Sequence, residues 1–197
     1  MIEVELKARV GDPEAVEAAV ASFARFDCAI DKLDAYWHGP DWRLKRGTRG
    51  FRMRAEGDTT TVTFKSKRCE GGIEINRERE FVVSEPAAFV EFIERLGCEP
   101  FYTKRKTGKR YEINVSDSID ESAKAGSRPI VVELVEVEGL GHFIEIEALL
   151  DDEEPAGLAL AQGEIRGILS RSGVSASEIE PRYYSELLME AGKIARP

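Results

Sequence analysis

The chain has 197 residues, 42% of them hydrophobic, enough for a sizeable core and within the range of one β-barrel domain. Its net charge of −9 argues against a general nucleic-acid binder, because nonspecific affinity for a phosphate backbone rests on surplus Lys and Arg. No apolar run approaches the roughly 18 residues of a membrane span and no signal-peptide pattern opens the chain, so a cytoplasmic protein is expected. Cys28, Cys69 and Cys98 are odd in number and far apart, which predicts neither a disulfide framework nor a cysteine zinc site.

The first predicted strand, residues 1–9, alternates charged and apolar positions. Side chains of a strand point to opposite faces in turn, so Glu3, Glu5, Lys7 and Arg9 share one face and Ile2, Val4, Leu6 and Ala8 the other. Asp12 and Pro13 then supply a cap and a first helical residue, and Val16, Ala19, Val20, Phe23 and Phe26 predict an apolar helical stripe. Residues 29–37 read as a strand carrying Asp34 and Tyr36, with Trp37 a core or loop anchor. The cation-rich segment 38–50 reads as a mobile loop near a barrel mouth. Strands over 50–56 and 59–67 form a hairpin about Gly57-Asp58, and a turn at Glu70-Gly-Gly72 leads into a strand over 73–83.

Pro86 opens a second helix over 87–96 with Phe89, Val90, Ile93 and Leu96 as its stripe, closed by Gly97. Glu5 to Pro13 and Glu78 to Pro86 have the same spacing, which points to two related half-barrels, about 1–72 and 73–149, with Glu78 and Glu80 inward like Glu5. Residues 101–115 read as a strand or hairpin, the polar segment 116–129 as a flexible loop, and 130–137 and 142–149 as the last strands. Helices over 154–172 and 181–191 complete a C-terminal unit, 153–192, of one domain spanning 1–197.

The charged alternation recurs in Arg52/Arg54, Lys65/Lys67, Lys104/Lys106 and Glu145/Glu147. A solvated outer face explains one such strand. Repeated through many, it leaves two arrangements: apolar faces filling the barrel, or a charged bore with an apolar exterior covered by helices. The predicted helical stripes need a surface to cover, which favours the second. A positive groove inside an acidic protein suits a small, highly charged anion.

Glu3-Val-Glu5-Leu-Lys7, followed in order by Asp34-Ala-Tyr36, Arg52/Arg54, Thr63-Phe-Lys65, Glu78/Glu80, Lys104/Lys106 and Gly139-Leu-Gly-His-Phe-Ile-Glu-Ile-Glu147, resembles the CYTH superfamily, the triphosphate tunnel metalloenzymes. Tyr184-Ser-Glu-Leu-Leu188 is similar to the C-terminal segment of its class IV adenylate cyclase branch. The resemblance implies an α+β fold: a closed, antiparallel, eight-stranded β-barrel or tunnel with helices packed outside. It also implies a triphosphate in the bore, acidic pairs on metal and basic strands on phosphates. Relatives carry Asp four residues before the first glycine of Gly-Leu-Gly, where this chain has Val135, with Glu133 two residues earlier on the same face. Asn76 stands where Arg often precedes the Glu78/Glu80 pair.

Crowded carboxylates repel unless a counterion lies among them, and hard oxygen ligands select Mg²⁺ or Mn²⁺. The expected metal ligands are Glu3, Glu5, Glu145 and Glu147, with Glu133 as a displaced one; the alternative is that some of them pair with lysines across the bore. Lys7, Arg9, Arg52, Arg54, Lys65, Lys67, Lys104 and Lys106 are the expected substrate-binding set, and Lys7, Lys65 and Arg54 the catalytic ones. Conversion of ATP to cyclic AMP and pyrophosphate is favoured. Hydrolysis of tripolyphosphate, thiamine triphosphate or a nucleotide stays open, as does polyphosphate or nucleotide binding without turnover. The expected partner is a small triphosphate, not nucleic acid or membrane, and a homodimer is allowed.

Overall fold

The computed structural model describes residues 1–40, 50–113 and 130–194. Eight strands, β1 (Ile2–Arg9), β2 (Arg25–His38), β3 (Gly50–Glu56), β4 (Thr59–Glu70), β5 (Ile73–Val83), β6 (Glu99–Ile113), β7 (Ile130–Val137) and β8 (Gly141–Leu150), close into a barrel in the order β1-β5-β4-β3-β2-β6-β7-β8. Every neighbouring pair is antiparallel. The helices are α1 (Pro13–Ala21), α2 (Pro86–Arg95), α3 (Pro155–Arg171) and α4 (Tyr184–Glu190), with a 3-10 turn at Ala176–Glu178 before α4. Among the described residues no helix is long and apolar enough to cross a membrane.

The apolar faces of the strands point outward, as the helical stripes required. Val4, Leu6, Ala8, Ile73, Val132, Ile144 and Ile146 are buried beneath Val16 and Val20 of α1 and Ala161, Ile165, Ile168 and Leu169 of α3. A second cluster places Phe89, Val90 and Ile93 of α2 over Trp37, Met53 and Val62. Removing a buried leucine such as Leu6 from a core of this kind costs about 2–5 kcal/mol, so these covers hold the barrel wall in place. Asp12 caps α1 by accepting from the Ala15 amide at 3.1 Å, and Gly57 turns the β3–β4 hairpin at φ 56°.

Two predicted stripe residues lie elsewhere. Phe26 belongs to β2, where it is half exposed and meets Tyr111 edge-on, because α1 ends at Ala21 and the chain turns into a strand far longer than 29–37. Leu96 sits beyond the end of α2 and is exposed, the helix having rotated it off the sheet. Residues 101–113 belong to the single strand β6 and not to a hairpin, and the last helix begins only at Tyr184. The loops expected over 38–50 and 116–129, and Trp42 with them, lie largely outside the described residues.

The two rims of the barrel differ. At the one where β1 begins, Met1, Glu3, Glu78, Arg79, Glu80, Glu147 and Leu149 line a cavity of about 410 Å³. At the other, Ile30, Val135, Val137 and Phe143 turn inward and pack on Tyr184 and Leu187, so α4 closes that end. Between β6 and β7 the backbones approach unusually closely at Gly108, where an added Cβ would lie 2.0 Å from the Leu134 carbonyl oxygen. Gly163, exposed within α3, has nothing within 4 Å of such an atom. Gly108→Ala is expected to cost about 1–3 kcal/mol, lowering Tm by about 3–10 °C. Gly163→Ala is expected to raise Tm slightly through the roughly 1 kcal/mol helix advantage of alanine. Thermal unfolding followed by circular dichroism checks both signs.

Candidate functional site

Alternation along β1 sends Glu3, Glu5, Lys7 and Arg9 into the bore, and the register sets partners beside them. Glu5 stands opposite Glu74 of β5 and Glu147 of β8, Lys7 opposite Glu145, and Glu145 opposite Glu133 of β7. Across the bore, Asp34 of β2 is flanked by Arg54 of β3 and Lys104 of β6, and Lys65 of β4 faces Glu78 of β5.

These groups neutralise one another. Lys106 Nζ donates to both oxygens of Glu145 at 2.6 and 2.5 Å, and Tyr184 Oη donates to Glu145 Oε1 at 2.6 Å. Lys32 Nζ reaches Glu133 at 2.6 Å, and Lys65 reaches Glu3 at 3.2 Å while also pairing with Glu78. Arg54 holds both oxygens of Asp34 at 2.6 and 3.0 Å, with Lys104 3.3 Å away. Glu74 takes Lys7 at 3.5 Å and Lys67 at 3.2 Å. Arg52 donates to Thr63 at 2.9 Å and reaches Glu80 at 3.5 Å.

The electrostatics divide the acids into two kinds. Burial alone would raise the Glu145 carboxyl, yet Lys106 and Lys104, with the hydrogen bonds from Lys106 and Tyr184, hold it well below the usual range. Asp34 is depressed likewise, burial being overcome by Arg54 and Lys104. Burial and the neighbouring Glu3 and Glu74 push Glu5 up to about 7. Burial with Glu3, Glu5 and Glu133 pushes Glu147 up to about 8. Glu5 and Glu147, directly opposed across β1 and β8, are thus the acids whose charge the bore leaves uncompensated.

The eight predicted anion-binding cations face the interior by strand parity, but not all end there. Three ammonium groups surround the Tyr184 ring, those of Lys104, Lys7 and Lys106 lying 4.6, 5.0 and 5.1 Å from its centroid. Lys67 lies 4.6 Å over Tyr183. Arg9 turns to the α4 rim, pairing with Glu180 at 3.3 Å and covering Phe143. The five predicted metal ligands, Glu3, Glu5, Glu133, Glu145 and Glu147, line one wall. Lysines hold three of them, and among the described residues no three His, Cys, Asp or Glu side chains are gathered into a metal-binding group. Val135 is buried beneath Tyr184, so the wall has no carboxylate at that position.

Several bore residues had no assigned role. Lys32 and Glu74 are buried partners of Glu133 and of Lys7. Each lies two residues from a recognised motif member, Asp34 and Asn76, and the period of two was signal enough to place both inside. The entry of Tyr184 at the start of α4 had no such signal, since nothing in a short helix says which opening it will fill. Tyr36 and Tyr102 stack on one another at 4.3 Å with planes 5° apart.

Residues 1–184 match the model of the CYTH domain. No curated protein matches the chain by sequence. Among solved structures it is similar to a protein of Pyrococcus horikoshii OT3, at 26% identity and TM-score 0.74, covering 95% of this chain and 98% of that one. It is similar also to a protein of Vibrio parahaemolyticus described as a candidate adenylate cyclase, at 19% identity and TM-score 0.74 over 96% and 98%. A third is a protein from Hippeastrum described as a candidate adenylyl cyclase with a dominant triphosphatase activity, at 16% identity and TM-score 0.61 over 98% and 97%. The last two likenesses are of fold alone. With its ordered acidic and basic strands meeting inside a closed barrel, and with the domain match spanning all eight of them, the chain belongs to the CYTH domain family.

Proposed function

We propose that the bore binds a linear triphosphate together with a divalent cation, and that the chain is an enzyme attacking phosphorus in that ligand. The observation that carries this reading is the mutual pairing of Lys65, Lys106 and Arg54 with Glu3, Glu145 and Asp34. A phosphate that draws a lysine away strands a buried carboxylate, and a cation that draws the carboxylate away strands a lysine. Either loss alone is costly, because an unpaired buried charge destabilises by several kcal/mol. The two ligands entering together leave every charge compensated, so each raises the affinity for the other.

Among the described residues the carboxylates are not drawn together on one point, and it is their chemistry that suits a hard cation. Glu5 and Glu147 oppose each other with raised proton affinity, Glu3 is beside them, and all are carboxylates, the ligands that suit Mg²⁺ or Mn²⁺. Such an ion, when bound, would lower the pKa of an attacking hydroxyl and offset phosphate charge. Lys7, Lys104 and Lys106, clustered about Tyr184, supply point charges to successive phosphoryl groups. Arg54 supplies a fork for two phosphate oxygens, and Lys65 joins from the opposite wall. Their role is to bind, align and stabilise the departing anion. Glu133 and Glu145 serve as counter-charges that the cation takes over.

Cyclisation of ATP to cyclic AMP and pyrophosphate is the first reading. It is supported by the Tyr184–Leu188 segment, whose tyrosine lies within the phosphate-binding lysines, and by likeness to the Vibrio protein. Hydrolysis of a triphosphate is the second. It is favoured by the stacked Tyr36 and Tyr102, which fill each other's faces and leave no slot between them for a base, and by likeness to the Hippeastrum protein. Incubating the protein with Mg²⁺ or Mn²⁺ and either ATP or tripolyphosphate separates them by product chromatography. Cyclic AMP with pyrophosphate is expected from ATP; orthophosphate alone would select hydrolysis, and bound but unchanged ligand in both arms would remove the enzyme reading.

A pH-dependent melting series tests the cation site. The folded state holds protons on Glu5 and Glu147 to about 7 and 8, above the ordinary 4.5. It therefore binds more protons than the unfolded chain, and the metal-free protein should lose stability as pH rises from about 5 through 8. Mg²⁺ with tripolyphosphate at roughly 100 times its dissociation constant should restore roughly 2.7 kcal/mol above that window, a Tm gain of about 5–10 °C. Either ligand alone should give much less. Equal shifts from the separate ligands would contradict the pairing argument.

A further inference from the structure

On β5, Asn76 takes the inward position between Glu74 and Glu78 and is fully buried, with Glu3 opposite it on one side and Lys67 on the other. Its Nδ2 donates to Glu3 Oε1 at 2.7 Å. Lys65 donates to the same oxygen at 3.2 Å. Both protein donors therefore fall on Oε1, leaving Oε2 of Glu3 to other ligands. The Asn76 carboxamide oxygen Oδ1 is itself buried and accepts no hydrogen bond. A buried acceptor without a donor costs about 1–3 kcal/mol, which an apolar residue of the same shape would avoid.

The charged donors nearby do not relieve it. Lys65 is committed to Glu3 and Glu78, and Lys67 to Glu74. Nor does a triphosphate, whose oxygens at neutral pH are acceptors. What Oδ1 fits is an O–H donor. It stands on the same wall as Glu3, Glu5 and Glu147, where a hard divalent ion keeps several of its waters, each a strong donor.

We propose that Asn76 is a positioning residue of the cation site: its N–H pins one oxygen of Glu3 so that the other turns to the ion, and its carboxamide oxygen takes a hydrogen from a water of the ion's shell. The proposal rests on the cation–triphosphate reading of the bore. It accounts for an amide, which can both donate and accept, in a wall otherwise built of full charges. Partners of this kind behind metal ligands orient them, and their loss typically weakens binding by about 10–100-fold.

The test is Mn²⁺ affinity, read from the electron paramagnetic resonance of the free ion at pH 8.5, with Mn²⁺ alone, with tripolyphosphate and with ATP. Asn76→Leu should weaken Mn²⁺ binding by about tenfold or more in all three arms. Its metal-free Tm should change little, because removal of an unmet acceptor offsets the loss of the Nδ2–Glu3 hydrogen bond. Asn76→Asp, which keeps an oxygen in place, should hold Mn²⁺ far better than the leucine variant. If leucine disturbs the fold, Asn76→Val, smaller and suited to a strand, should give the same loss. A leucine variant that binds Mn²⁺ like the unaltered protein overturns the proposal, as does one whose only change is a lower Tm. Weakening confined to the ATP arm also overturns it, by assigning the donor to a sugar hydroxyl. Failure of the unaltered protein to bind Mn²⁺ in any arm instead overturns the cation reading beneath it.

Discussion

A charge removed from water must find an opposite one, and this barrel removes many at once. Moving an ammonium or carboxylate into a low-dielectric interior costs several kcal/mol per ion even after relaxation. Lys7, Lys32, Lys104 and Lys106, with Glu3, Glu74, Glu133, Glu145 and Asp34, are all nearly inaccessible. The fold tolerates them only because adjacent strands set each beside its counterpart, Lys7 opposite Glu145 and Asp34 between Arg54 and Lys104. Outward placement of the apolar residues follows from the same alternation. So does the need for α1, α2 and α3 as an external cover, which makes the hydrophobic clusters beneath these helices lie outside the sheet.

The pairing is uneven, and the unevenness is where function enters. Salt bridges consume Glu3, Glu133 and Glu145, yet Glu5 and Glu147 face each other across β1 and β8 with their proton affinities raised. On the opposite side, Lys104 and Lys106 crowd together about Tyr184, and burial and Lys106 lower the proton affinity of Lys104. A wall with surplus negative charge and a cluster with surplus positive charge, in one closed cavity, are complementary to a cation and an anion bound side by side. With α4 packed at one rim, the cavity lies at the other, lined by Met1, Glu78, Glu80 and Glu147.

Much of this was legible in the sequence, for a physical reason: a strand's period of two is rigid, so a single inward residue fixes its whole strand. Glu5 placed Glu3 and Lys7, and the echo at Glu78 put Glu80 on the same face, where it is half exposed at the rim. What the alternation left unread was of two kinds. Lys32 and Glu74 were in phase with recognised residues but carried no motif of their own. The seating of Tyr184, the sharing of Glu3 between Lys65 and Asn76, and the departure of Arg9 to Glu180 depend on which of several partners a flexible side chain meets, and no local period encodes that. Helix ends were weaker still. Phe26 continued the spacing of α1 but belongs to β2, because β2 pairs with β6 along nearly its whole length and that pairing outweighs a helical stripe.

Lysine acetylation followed by mass spectrometry tests the buried charge lattice most directly, because only a solvated, unpaired amine reacts quickly. In the folded protein Lys32, Lys104 and Lys106 should resist the reagent while Lys193, exposed just beyond α4, is modified rapidly, and unfolding should make all four react alike. Rapid modification of Lys104 and Lys106 in the folded protein, at the rate of Lys193, would place these cations in bulk water and contradict the account.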